Sequence, residues 1–150
     1  MQRRNGFTLI EMMVAVVLVG LISLIAFPKV NSAIAKNNLR SARVTMANMF
    51  AMARATAVGT NKRTWLNFTG NNVYVTASPR VVNVPGSTMD TVGTIQRLDV
   101  VYGVTLTPEV ASVAYDPRGF ATIVGTPKFL VTKSGKRDSV RVDGLGRVIK

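Results

Sequence analysis

Twenty-one consecutive residues, Phe7 to Phe27, are apolar apart from Thr8, Glu11, Gly20 and Ser23, and this run constrains the chain more than any other feature. At about 1.5 Å per residue it makes a helix of roughly 31 Å, which matches a bilayer hydrocarbon core of about 30 Å. Arg3 and Arg4 precede it with no acid beside them. The bias of cytoplasmic flanks toward Lys and Arg therefore keeps the N-terminus inside and sends the remaining chain outward. A cleaved secretory signal has the same basic start, but its apolar core is usually about 7 to 15 residues and ends at a small-x-small site. Here the run is longer, and Pro28 and Lys29 close it.

Glu11 is the anomaly. A carboxylate inside a spanning helix costs a few kcal/mol at the bilayer centre and calls for a cationic partner. A plain uncleaved anchor gives it none. Glu11 lies four residues past Phe7, only about 6 Å along the helix, so a primary amine exposed by proteolysis between Gly6 and Phe7 would serve. Two copies staggered along their axes could pair the amine of one with the Glu11 carboxylate of the other.

The stretch "NGFTLIEMMVAVVLVGLISLIAFP" resembles the class III signal of type IV prepilins and pseudopilins, through Gly6, Phe7, Thr8, Leu9, Ile10, Glu11, Gly20 and Pro28. The resemblance implies removal of residues 1–6 by a membrane prepilin peptidase, N-methylation of Phe7, and packing of the helix into a filament core. It also implies that Gly20 and Pro28 bracket the part of the helix that loosens when a subunit leaves the bilayer. Elementary helix energetics agree, since an interior Gly costs about 1 kcal/mol and Pro removes a backbone hydrogen bond.

After Pro28 the helical pattern continues without an acid to Gly59, a reasonable stop, and predicts one helix from about Phe7 to Val58. At about 100° per residue, Lys29, Lys36, Arg40, Arg43 and Arg54 fall on one face, and Leu39, Met46, Phe50, Ala53 and Ala57 on an adjacent apolar stripe. That stripe predicts a seam for a globular domain. The basic face is open to four readings: solvent, acidic neighbours in a filament, lipid phosphates or nucleic acid.

Beyond Gly59 the period shortens and turn residues punctuate β-rich runs. Strands are predicted at 63–68, 72–78, 80–84, 95–107, 112–116, 122–133, 139–143 and 147–150, with turns at "TGNN", "PGST", "DPRG", "KSGK" and "DGLG". Pro127 should break or edge its run. The expected fold class is α+β: a long N-terminal helix packed against one C-terminal antiparallel β unit. Its parts are a leader at 1–6, a spanning segment at 7–28, an amphipathic helix at 29–59 and a β-rich domain at 60–150.

The order of features, with "AYDPRGFA" (114–121) and a closing strand led by Gly146 and Arg147, also resembles the GspH/FimT group of minor pilins and pseudopilins. Major pilins more often carry a C-terminal disulfide, and this chain has no cysteine.

Classes of chemistry drop out by composition. With no His and no Cys there are no imidazole bases, thiolate nucleophiles or usual zinc ligands. The acids beyond Glu11 are Asp90, Asp99, Glu109, Asp116, Asp138 and Asp143, scattered singly, and neither a phosphate loop nor a nucleophile elbow occurs. No enzyme activity, cofactor, metal or small-molecule substrate is expected.

Charge is the remaining signal. Nineteen Lys and Arg against seven acids give +12, which favours an anionic partner or plain solubility. Residues 128–150 concentrate Lys128, Lys133, Lys136, Arg137, Arg141, Arg147 and Lys150 against Asp138 and Asp143. Sequence-independent DNA binding uses such cations. Some members of the resembled group bind DNA in natural transformation through a C-terminal Gly-Arg-x-Arg. Here Gly146, Arg147 and Val148 fit, while Ile149 stands where the second Arg would be and Lys150 is one place late, on the other face of a strand. Lys136, Arg137, Arg141, Arg147 and Lys150 are the DNA candidates, against a surface that meets other subunits or solvent.

The expected function is thus a minor pilin or pseudopilin of a type IV pilus or type II secretion pseudopilus, with a DNA-uptake minor pilin as the alternative. Expected partners are the prepilin peptidase, other pilins in a filament, the inner membrane and, in the alternative, DNA. The expected location is the inner membrane, single-pass with the C-terminal domain outside, and then a periplasmic pseudopilus or surface pilus.

Overall fold

The computed structural model describes residues 7–79 and 89–149. The chain forms two compact units, Met1–Ala35 and Lys36–Lys150. The first helix, α1, is assigned over Leu9–Thr60 and so supplies residues to both.

In the first unit the helix runs without interruption through Gly20 and Pro28. Its large side chains are exposed, among them Leu18, Ile22 and Phe27. By length and composition it is the one helix among the described residues suited to crossing a membrane. The Ser23 hydroxyl donates to the Val19 carbonyl at 2.7 Å, which satisfies a polar group within the helix itself.

In the second unit the apolar stripe is fully used. Leu39, Met46, Phe50, Ala53 and Ala57 are all buried. Their partners are two antiparallel sheets, which together make up the expected β unit. The first sheet has the order β3-β2-β1-β5-β6 and the second β4-β7-β8-β9. In chain order the strands are β1 Thr64–Thr69, β2 Asn72–Ala77, β3 Asp90–Arg97, β4 Thr105–Pro108, β5 Ser112–Tyr115, β6 Ala121–Thr122, β7 Lys128–Lys133, β8 Lys136–Val142 and β9 Val148–Ile149. Each hydrogen-bonded pair is antiparallel.

Three rings join the layers. Phe50 of α1 meets Phe68 of β1 at 5.9 Å and Phe129 of β7 at 5.1 Å between centroids, and Phe68 meets Phe129 at 4.5 Å. Such tilted and edge contacts are the favoured aromatic geometries. The buried Thr64 hydroxyl donates to the Ala53 carbonyl at 2.8 Å, so β1 is also fastened to the helix by a polar bond.

The structure corrects three expectations. The helix ends at Thr60, not before Gly59, because Asn61 takes the left-handed conformation (φ 53). The Lys62 amide then bonds the Ala57 carbonyl and the Asn61 amide the Val58 carbonyl, a Schellman closure. The single strand expected at 95–107 is instead β3, a short helix α2 (Leu98–Tyr102) and β4. Leu98 is buried, and Gly103 (φ 61) turns the chain while its amide bonds the Asp99 carbonyl at 2.8 Å. The run at 122–133 splits into β6 and β7, with Pro127 in the gap. The strand expected at 80–84 lies outside the described residues.

Candidate functional site

Two groups of residues carry the functional readings, one in each unit. In the first, Thr8 precedes α1, and its backbone amide and hydroxyl both donate to Glu11 Oε2 at 2.9 Å, while the Glu11 amide approaches the Thr8 hydroxyl at 3.3 Å. This is a capping box, in which a Thr and a Glu three residues on satisfy each other's orphan amides at a helix start. Glu11 therefore has a use within its own chain, a role missed when the sequence is read only for a partner charge. The Thr-x-x-Glu spacing was the available signal. Phe7 beside it is 85% exposed, and a Cβ at Gly20 would meet open space. Gly6 lies outside the described residues.

In the second unit the predicted basic patch divides. Residues 136–142 form β8, where Val140 and Val142 are buried in the core and Arg137 and Arg141 are exposed. Arg141 is the register partner of Lys128 on β7 and of Ile149 on β9. Arg147 instead closes the turn between β8 and β9. Its amide donates to Asp143 Oδ1 at 2.8 Å and its guanidinium to Oδ2 at 3.0 Å. The Arg147 amide, followed by its side chain, holds the Asp143 carboxyl below its ordinary range. Lys150 lies outside the described residues.

Lys136 and Arg137 join residues that sequence separation had hidden. They line a groove of about 460 Å³ with Lys36, Leu39, Arg40 and Arg43 of α1, and the single carboxylate in that lining is Asp138. Arg43 donates to Asp138, with the nearest approaches 3.2 and 3.3 Å. The pair is partly exposed, so it orients the walls more than it stabilises the fold. Of the basic helical face, Lys36, Arg40 and Arg43 meet the β8 cations here, while Arg54 flanks Gly146 and Arg147 farther along the helix.

The first 27 residues match the family model described as the prokaryotic N-terminal methylation motif. Two crystal forms of the Pseudomonas aeruginosa type IV minor pilin FimU superimpose on the chain. The P21 form has a TM-score of 0.59 at 17% identity, covering 76% of this chain and 88% of that one. The P65 form has 0.55 at 16%, covering 74% and 90%. The chain carries the prokaryotic N-terminal methylation motif and has the fold of that minor pilin. No curated protein sequence matches it. In this minor-pilin fold the motif residues Phe7, Thr8 and Glu11 belong to the first unit, and the basic groove belongs wholly to the second.

Proposed function

We propose that the chain is a minor pilin or pseudopilin, cut between Gly6 and Phe7 by a prepilin peptidase, methylated at Phe7, anchored in the inner membrane by residues 7–28 and then built into a pilus or pseudopilus. The observation that carries this reading is the joint presence of the methylation motif over residues 1–27 and a minor-pilin fold in the same chain. Glu11 has two roles in succession: it caps its own helix through Thr8, and in the filament it neutralises the terminal amine of a neighbouring subunit.

Replacement of Gly6 by a bulky residue should leave the leader attached, and mass spectrometry of the N-terminus should read a mature chain beginning at methylated Phe7 only in the wild type. Glu11→Ala should still be inserted and processed but should be depleted from sheared filaments. Fibres containing uncut chain would refute the reading.

The DNA-uptake alternative draws on the same basic surface. The engagement of Arg147 by Asp143 argues against a DNA contact centred on the C-terminal Gly-Arg pair.

A further inference from the structure

We propose that α2 is a docking knob for a second copy of this chain, which receives Val100 and Val101 in its cleft between α1 and β9 and Asp99 on its Arg54. Knob and cleft both belong to the second unit. The knob is firmly fastened from behind. Leu98 is buried beneath it. The Tyr102 carbonyl accepts from Asn38 Nδ2 at 3.1 Å and from the Lys133 ammonium, and the Tyr102 hydroxyl bonds the Thr45 hydroxyl at 2.7 Å. On this base the adjacent Val100 and Val101 are 65% and 60% exposed, an apolar pair that the domain's own core does not use. An anchor already held in place loses little freedom on binding, which suits it to an interface.

The cleft has the matching character. Ala47, Ala51, Ala55 and Val58 of α1 and Val148 of β9 line a space of about 490 Å³. Val58 and Val148 are exposed in the free chain, so two incoming valines would remove apolar surface from water on both sides of the contact. Two arginines border the cleft. Arg147 is held by Asp143 at 3.0 Å, whereas Arg54 has no carboxylate partner among the described residues.

Charge selects the occupant. Of the seven acids, Glu11 is engaged by Thr8, Glu109 by the Lys128 amide, Asp116 by the Arg118 and Phe120 amides, Asp138 by Arg43 and Asp143 by Arg147. Asp90 and Asp99 are left, both exposed. Asp90 lines a pocket that already holds Lys62 of its own chain. Asp99 stands next to the two valines, so the knob carries the anion that Arg54 lacks.

A chain cannot fill its own cleft. Asn38 and Thr45, which hold α2, lie nine residues before Ala47 and Arg54 respectively. Nine residues are about 180° round a helix, so knob and cleft flank opposite sides of α1. The contact is therefore heterologous, and repeated from copy to copy it builds an open series rather than a closed pair. Three side chains fall well short of a standard interface of about 1,600 Å². The contact consequently acts where copies are already held together and their effective concentration is high.

The inference rests on the assembly reading for that holding, and the two fail separately. If assembly is wrong, the leader stays attached and no chain enters sheared filaments. If the contact is wrong, processed chain enters filaments but knob and cleft never meet.

The chain has no cysteine, so introduced thiols report alone. Full-length Val100→Cys and Ala51→Cys chains are mixed in shared micelles and oxidised. A disulfide needs Cα atoms within about 7 Å, and the mixture should yield roughly ten-fold more cross-linked dimer than either variant by itself. Asp99→Arg on the Val100→Cys chain should cut that yield roughly ten-fold by setting like charge against Arg54. Adding Arg54→Asp to the Ala51→Cys chain should restore it, which also shows that both variants fold. Asp90→Arg should leave the yield unchanged. Absence of a cross-link in the mixture, equal cross-linking of Val100→Cys alone, or failure of the charge exchange to restore the yield would overturn the proposal.

Discussion

Gly146 stands where no side chain fits beside Tyr115: a Cβ there would lie 2.6 Å from Tyr115 Cε1 and 3.1 Å from the Gly119 carbonyl oxygen. The contact joins two copies of one turn. In Asp116–Phe120 the Asp amide bonds the carbonyl four residues on at 3.0 Å, the Gly amide returns to the Asp carbonyl at 2.9 Å, and the last amide caps the carboxylate at 2.9 Å. Asp143–Arg147 repeats all three bonds at 3.0, 2.9 and 2.8 Å. Both glycines have positive φ, 85 and 73, as a turn followed by a left-handed bulge residue requires. Thus "DPRGF" and "DGLGR", dissimilar as strings, are one solution used twice.

Gly146→Ala should therefore destabilise the domain by roughly 3 kcal/mol, combining left-handed strain with a clash against a buried ring. Gly119→Ala should cost less, roughly 1.5 kcal/mol, because its Cβ would meet Val58 at 3.0 Å and the adaptable Arg54 side chain at 3.1 Å. Urea unfolding of the two variants should rank them in that order.

The second turn is also an acid sensor of stability. Asp143 titrates below its ordinary range, first because the Arg147 amide donates to it and then through the guanidinium. A carboxyl whose folded value is lowered stabilises the fold above its unfolded value and loses that contribution as pH falls through the folded one. Asp143→Asn should be less stable than wild type near neutrality, and the difference should shrink between about pH 5 and pH 2. Thermal melts across that range would show it; a constant difference would mean that the turn is held by shape alone.

Tyr115 is fully buried, and among the described residues its hydroxyl has no hydrogen-bond partner. Burial pushes its ionisation upward, with Arg54 opposing the shift. Tyr115→Phe should hence stabilise the domain by about 1 kcal/mol, since removing an unsatisfied buried hydroxyl relieves its desolvation. In ultraviolet titration of the wild type, Tyr115 should resist ionisation until the fold opens.

Local periodicity made much of this fold legible. The stripe Leu39, Met46, Phe50, Ala53 and Ala57 follows from helical spacing alone, and each member is buried. The pairs Trp65–Thr76 and Phe68–Val73 in the β1–β2 hairpin follow from alternation and the two-residue Gly70–Asn71 loop. What stayed hidden was non-local. The division into two sheets is decided by which strand pairs with β1, and β1 chooses β5, more than forty residues on. Arg43 and Asp138 are 95 positions apart, so no spacing rule joins the groove's two walls. The helix α2 was lost because Leu98 to Tyr102 is as apolar as a strand, and only the Gly103 reversal distinguishes it. Thr8 was a different kind of omission: its signal is local, but a charge in an apolar run draws attention outward to partners.

That omission yields the sharpest test of the proposed function. If the Glu11 carboxylate served only its own helix, Thr8→Ala and Glu11→Ala would have similar effects, because each breaks the bond between the two side chains and one of the two flanking bonds to a backbone amide. Each would cost about 1 kcal/mol of capping and fray the first turn. If Glu11 also receives a neighbour's terminal amine, the two must diverge. Thr8→Ala keeps the carboxylate and frees it for the neighbour, so assembly should fall by less than about five-fold. Glu11→Ala removes the anion and leaves the incoming amine uncompensated in an apolar core, where an unmatched charge costs several kcal/mol, so incorporation should fall by more than about a hundred-fold. Glu11→Gln retains a side chain that can still cap but carries no charge, and should resemble Glu11→Ala. Immunoblots of sheared filament against membrane-retained subunit measure all three, and equal losses for Thr8→Ala and Glu11→Ala would confine Glu11 to its own helix.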